Sequence, residues 1–172
     1  MQIDHSSHQP TASTHPLCFL ATNIGTPSNV GGLFRIADAL GVEKIYLTGE
    51  SLVPPNSKIR KISRSTEKYV PYEYRQSALD TAQMLRDRGY RLICLEIASN
   101  SIELRQLPIL HNEKVCLILG SEKDGVGTAL LKMVDTIVHI PMLGVNSSMN
   151  VASACAIATY VILDKMAMRG GQ

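Results

Sequence analysis

Five polar side chains stand out against small and apolar neighbours: Asn29, Arg35, Glu122, Ser148 and Asn150. Each follows an apolar run of the kind that forms a buried strand, or opens on a run that forms a helix. All but Arg35, which lies further into the helix that follows Asn29, therefore fall at strand ends and first helical turns, where open α/β sheets hold ligands. Arg35 carries a permanent charge six residues after Asn29 in the stretch Asn29-Val-Gly-Gly-Leu-Phe-Arg35. With such neighbours it needs a partner, either a carboxylate or an incoming phosphate. Glu122 follows the apolar run Val115-Cys-Leu-Ile-Leu119 and Gly120-Ser121. It can cap the next helix, or hold Arg35 through a bidentate pair that would explain both residues. Ser147, Ser148 and Asn150 crowd before Val151-Ala-Ser-Ala-Cys-Ala-Ile157, the pattern of an N-cap region feeding a helix.

Strands and helices must bring these groups together. Leu17–Ala21 reads as a first buried strand, and Val30 to Leu40 as an amphipathic helix closed by Gly41, with Asn29 placed to cap it. Gly31 and Gly32 lower helix propensity in the first turn, a cost that makes sense if another backbone or a ligand comes close. Lys44–Leu47 completes a βαβ-like unit, which sets the class as α/β with a mostly parallel sheet covered by helices. Further on, a helix is expected from Arg75 to Arg88 and a strand from Arg91 to Leu95. A looser segment, Ser99 to Leu110, leads to the buried strand at Val115, a short helix at Leu130–Val134 and a last strand from Thr136 to Ile140. Pro141 stops that strand, and Gly144 supplies the bend after it. The final helix, Val151 to about Met168, is apolar on several faces, which predicts burial on more than one side, including a subunit contact.

Composition narrows the class. With 172 residues and 45% hydrophobic content the chain fits a single domain, here 17–172 preceded by a polar tail, 1–16. His5, His8 and His15 sit at that end without a Cys or carboxylate cluster, so no metal site is expected. Lys plus Arg exceed Asp plus Glu only by 17 to 15, so a nucleic-acid partner must be argued from local clustering. The one cluster is Lys58, Arg60, Lys61, Arg64 and Lys68, interleaved with hydroxyls and followed by Tyr69, Tyr72 and Tyr74. Such a segment can neutralise phosphates while tyrosines stack on unpaired bases. Cys18, Cys94, Cys116 and Cys155 lie singly in apolar runs and read as buried thiols in a reducing compartment. No apolar run reaches membrane-spanning length, and a cytoplasmic location is expected. Gly25, Gly31 and Gly32 do not have the spacing of a dinucleotide fingerprint, which argues against a nicotinamide enzyme.

Three stretches now align in order: Asn29 to Arg35, Leu119-Gly-Ser-Glu122-Lys-Asp-Gly125, and Ile140-Pro-Met-Leu-Gly144 to Ser148-Met-Asn150-Val-Ala152. Together they resemble the three motifs of the SpoU/TrmH family of RNA ribose 2′-O-methyltransferases, from about Leu17 to the C-terminus. The resemblance implies a C-terminal deep trefoil knot, S-adenosylmethionine as methyl donor, tRNA or rRNA as substrate, and a homodimer formed through the knotted region and the C-terminal helix. It casts Asn29 and Arg35 as the first-motif catalytic pair, Glu122 as the second-motif acid, and Ser148 and Asn150 as third-motif polar residues. Cofactor contacts would come from Leu119, Gly120, Ile140, Met142, Ser148 and Met149. Arg35 would hold phosphate and hydroxyl, with Glu122 fixing its plane. Ser121 and Met149 depart mildly from the pattern. A base N-methyltransferase of similar fold, or an RNA-binding module without activity, would share much of this sequence.

Overall fold

The computed structural model describes residues 14–168. Seven strands, β1 (His15–Thr22), β2 (Val42–Thr48), β3 (Tyr72–Arg75), β4 (Arg91–Leu95), β5 (Ile102–Glu103), β6 (Val115–Leu119) and β7 (Thr136–His139), form one sheet in the order β3-β2-β1-β6-β4-β7-β5. Every pairing in it is parallel. The helices are α1 (Pro27–Leu40), α2 (Ser57–Ser63), α3 (Ala78–Asp87), α4 (Thr128–Leu131) and α5 (Val151–Met168).

Parallel strands need crossovers that cover both sheet faces, so inner strands are apolar throughout instead of alternating. All of β6 is buried, as are the last six residues of β1. Their side chains still divide with period two. Leu17, Phe19, Ala21, Val115, Leu117 and Leu119 join the core that includes α1 and α5 residues. Cys18, Leu20, Cys116 and Ile118 join the opposite core, with Ala82 and Leu85 of α3 and Leu130 of α4. The four cysteines are buried and unpaired, as the sequence predicts. Burial pushes the Cys155 thiol up to about 12 and that of Cys94, with Glu96 adding, to the same value.

The order of the strands decides where ligands can sit. The chain runs outward from β1 through β2 to β3, crosses to β4, and later inserts β6 between β1 and β4. The carboxyl ends of β1, β6, β4 and β7 therefore converge, and the loops leaving them face one another. Two helix starts are brought to that edge by small residues: a Cβ on Gly32 of α1 would stand 3.0 Å from Ala152 Cβ of α5. That close crossing accounts for one of the two glycines, while the Cβ of Gly31 would meet Ile62 of α2 at 2.9 Å.

Several expectations change. β1 begins at His15, so His15 and Pro16 are strand and not tail; His5 and His8 lie outside the described residues. α1 starts at Pro27, whose missing N–H suits a first turn, with Thr26 at the N-cap; Asn29 is inside the helix and caps nothing. The expected helix at Arg75 begins at Ala78, capped by Ser77 Oγ accepting from Asp80 N at 3.1 Å, and Arg75 ends β3. The looser segment contains β5 and a single 3-10 turn, Leu104–Gln106. The short helix is Thr128–Leu131, starting two residues and ending three residues earlier than expected. Gly144 has open space around a Cβ and no left-handed φ, so its bend does not require glycine. No helix among the described residues is long and apolar enough to cross a membrane.

Candidate active site

Asn150 is the junction of the site. Its Oδ1 accepts from Ala152 N at 2.9 Å and Ser153 N at 3.2 Å, the N-cap of α5 that the Ser-Ser-Met-Asn pattern predicts. Its Nδ2 donates to Asn29 Oδ1 at 2.8 Å and to Glu122 Oε1 at 3.0 Å. One amide thus joins the first turn of α1, the loop after β6 and the start of α5, its two partners lying 121 and 28 residues away in sequence. Asn29 is only 4% exposed, which explains how a helix interior tolerates it: its carbonyl oxygen has a fixed donor. The bond to the Glu122 carboxylate is charge-assisted, but both side chains are exposed, so competition from water reduces its net contribution.

Two cavities meet at this junction. The larger, about 740 Å³, is bounded by the ends of β4, β6 and β7 and by the start of α5. The smaller, about 530 Å³, lies between the β1–α1 loop, Glu50 and the loop after β6. Both are lined by Ser121–Asp124, so this short segment is their common wall, with Glu122 on it. The wall is a tight turn: Asp124 N donates to Ser121 Oγ at 2.9 Å and Gly125 N to Ser121 O at 3.0 Å. Gly120 lies under the turn, where a Cβ would be 2.3 Å from the Gly125 carbonyl carbon.

The structure places Leu119, Gly120, Ile140, Met142, Ser148 and Met149 on the larger cavity, all six cofactor candidates. Asn150 lines it too, and Asn29 lines the smaller one. Arg35 is different. It is exposed on α1, lines neither cavity and forms no ion pair among the described residues. The expected Arg35–Glu122 pair is therefore not formed; a neutral amide, Asn150, takes the carboxylate instead.

The basic cluster is also only partly as expected. Lys58, Arg60, Lys61, Arg64 and Lys68 are all exposed on α2 and the turn after it. Arg60 leans on Glu67, with Nε 3.5 Å from Oε1. Tyr69 is 76% exposed, but Tyr72 packs edge-on against Phe34 at 5.4 Å and cannot stack on a base. Tyr74 hydroxyl donates to Gly49 O at 3.0 Å.

Sequence reasoning missed Glu96 and His139, which line the larger cavity. The signal for Glu96 was present: a charge directly after the apolar run Leu92–Leu95 belongs at a strand's carboxyl end.

Residues 16–160 match the model of the SpoU rRNA Methylase family. The tRNA (guanosine(18)-2′-O)-methyltransferase of Escherichia coli K12 is 26% identical over 137 residues, covering 78% of this chain and 57% of that protein. The 23S rRNA (guanosine-2′-O-)-methyltransferase RlmB of Blochmanniella floridana is 28% identical over 145 residues, 84% of this chain and 56% of that one. The chain thus spans a little over half the length of these curated relatives. An AdoMet-bound rRNA methyltransferase from Sinorhizobium meliloti shares the fold, with a TM-score of 0.81 at 22% identity over 91% of this chain and 60% of that one. With its three motifs brought to one sheet edge and the family model matched over nearly all of the described residues, the chain belongs to the SpoU rRNA Methylase family.

Proposed function

We propose that this protein transfers a methyl group from S-adenosylmethionine to a ribose 2′-hydroxyl of tRNA or rRNA. The observation that carries the reading is the Asn29–Asn150–Glu122 junction on the wall between two cavities, one sized for a methyl donor and one open to an acceptor nucleotide. The E. coli and Blochmanniella relatives are named for guanosine 2′-O-methylation of tRNA and 23S rRNA, which supports ribose chemistry and leaves both RNA classes in play.

The larger cavity suits the donor on physical grounds. Its volume falls within the roughly 300–1,000 Å³ of small-molecule sites. Glu96, Glu122 and Asp124 line it against Lys123 alone, an excess of negative charge that favours a cationic sulfonium over a phosphate. Leu119, Gly120, Ile140, Met142, Ser148 and Met149 would hold the molecule, partly through backbone groups freed at strand ends. S-adenosylmethionine, when bound, supplies the electrophilic methyl group. Asn29 and Asn150 fix the wall against which the ribose is oriented, and orientation is where most of the acceleration arises. Arg35 is a guanidinium that stays protonated, so it donates hydrogen bonds and does not act as the base. From the exposed face of α1 it receives the substrate's phosphate and steadies the negative charge growing on the 2′-oxygen. The hydroxyl proton leaves to a phosphate oxygen or to water.

The same reading includes a deep trefoil knot in the C-terminal half of a domain that begins with β1 at His15. The out-of-sequence insertion of β6 between β1 and β4 supports it. It also includes a homodimer. On α5, Ile157 and Tyr160 are exposed one turn apart, Tyr160 at 65%, and Leu143 and Val145 in the loop before α5 are fully exposed.

RNA would meet α2. Because Arg60 is engaged by Glu67, the cleaner test is Lys61→Ala with Arg64→Ala. The pair should weaken binding and reduce the slope of log affinity against log salt by about one for each phosphate no longer neutralised. An unchanged slope removes α2 from the RNA surface.

Labelled S-adenosylmethionine incubated with unmodified tRNA or rRNA, followed by nucleoside digestion, tests the activity itself. Recovery of a 2′-O-methylated nucleoside is expected. Label on a base would transfer the assignment to base methylation, and no label with intact donor binding would indicate a binding module.

A further inference from the structure

We propose that Glu96 is a positioning residue of the donor site, latching the wall between the two cavities to the end of β4; the role rests on the reading of the larger cavity as the methyl-donor site. Glu96 continues the β4–β7 pairing through its backbone, donating from N to Val138 O at 3.0 Å. Its carboxylate turns the other way. Oε1 accepts from Ile97 N at 3.0 Å, and Oε2 reaches the loop after β6 to accept from Val126 N at 3.2 Å. One residue therefore joins the ends of three strands that bound the larger cavity, and it lines that cavity itself.

The fit on the loop side is tight. Gly125 has φ +61°, and a Cβ there would stand 2.6 Å from Glu96 Oε2. The glycine lets the backbone pass beneath the carboxylate, and the next residue, buried Val126, donates to it. The loop is then fixed at both ends, by its own turn at Ser121 and by Glu96 at Val126. Glu122, between them, is held at the height where Asn150 reaches it. Only a carboxylate offers an acceptor to each N–H at once; a glutamine in its place would turn an NH₂ toward one of them.

Hydrogen exchange and donor binding read this role separately from turnover. In donor-free protein, Glu96→Ala should raise exchange at 121–126 by about tenfold, the scale of one lost, partly buried hydrogen bond to a charge. Calorimetry should show the S-adenosylmethionine Kd raised by about tenfold on the same grounds. Glu96→Gln should fall between, and it carries the same test if the alanine variant does not fold. Gly125→Ala supplies a second readout. Its penalty in Kd should be smaller in the Glu96→Ala background than in the wild type, because the clash partner is gone. Unchanged exchange at 121–126, an unchanged Kd, or strict additivity of the two substitutions would each overturn the latch. Failure of the wild type to bind S-adenosylmethionine would instead sink the reading of the cavity, and failure to transfer methyl with binding intact would sink only the proposed reaction.

Discussion

Arg35→Ala is expected to lower methyl transfer at saturating donor by about 10²- to 10³-fold, the range for loss of a single donor to a developing oxyanion. The S-adenosylmethionine Kd should stay within about twofold, because Arg35 does not line the larger cavity. The guanidinium has no carboxylate partner among the described residues, so nothing inside the protein is orphaned by its removal and the fold should be unaffected. Single-turnover kinetics on a substrate RNA, with donor titrations alongside, measures both quantities. Arg35→Lys separates charge from shape: an ammonium keeps the attraction for phosphate but not the planar fork, and should recover only part of the lost rate. Near-wild-type turnover by the lysine variant would exclude the fork, and by the alanine variant would exclude Arg35 from the reaction.

The second large effect is structural in origin. A Cβ on Gly120 would lie 2.3 Å from the Gly125 carbonyl carbon, 2.5 Å from Val126 N and 2.6 Å from Gly125 O. These are backbone atoms of a turn tied at both ends, so they cannot move aside as a flexible side chain would. Overpacking at a single site commonly costs about 1–3 kcal/mol, and this site is at the upper end or beyond. For a chain of this size the upper end corresponds to a fall in Tm of roughly 6–12 °C. Donor binding should suffer more than stability, because the displaced turn carries Glu122 and walls the cavity. Gly120→Ala should therefore bind S-adenosylmethionine at least about 100-fold more weakly, a loss on the scale of that strain. Gly144→Ala provides the contrast: with nothing within 4 Å of its Cβ, its Tm should match the wild type. Equal behaviour of the two variants in thermal melts and calorimetry would refute the close-approach explanation.

What the sequence disclosed depended on how local the governing interaction is. The buried strands β1 and β6 were legible because double-sided burial writes a continuous apolar run. The Gly41 closure of α1 and the Asn150 cap of α5 were legible because both are settled within one turn of helix. β3 was missed: Tyr72-Glu-Tyr-Arg75 is an edge strand, half exposed, without the apolar pattern of an inner one. β5, two residues long, is too short to have a pattern. The placing of all six cofactor candidates came through the family motifs, which encode a tertiary arrangement that periodicity does not. The Arg35–Glu122 pair failed for a different reason. Matching opposite charges ignores neutral donors, and Asn150, far along the chain, had the geometry to reach Glu122 while Arg35 did not. Asn29 was misjudged similarly, because a capping residue and a buried partner of a distant amide look alike in sequence.

The double duty of Asn150 has a consequence in time. The same side chain that starts α5 also joins Asn29 to Glu122, and α5 follows all seven strands in the chain. During synthesis the strands emerge before the residue that unites the site. On the proposed function, a chain that has its seven strands but not yet α5 lacks the side chain that joins Asn29 to Glu122, so assembly of the site waits on the winding and docking of that helix.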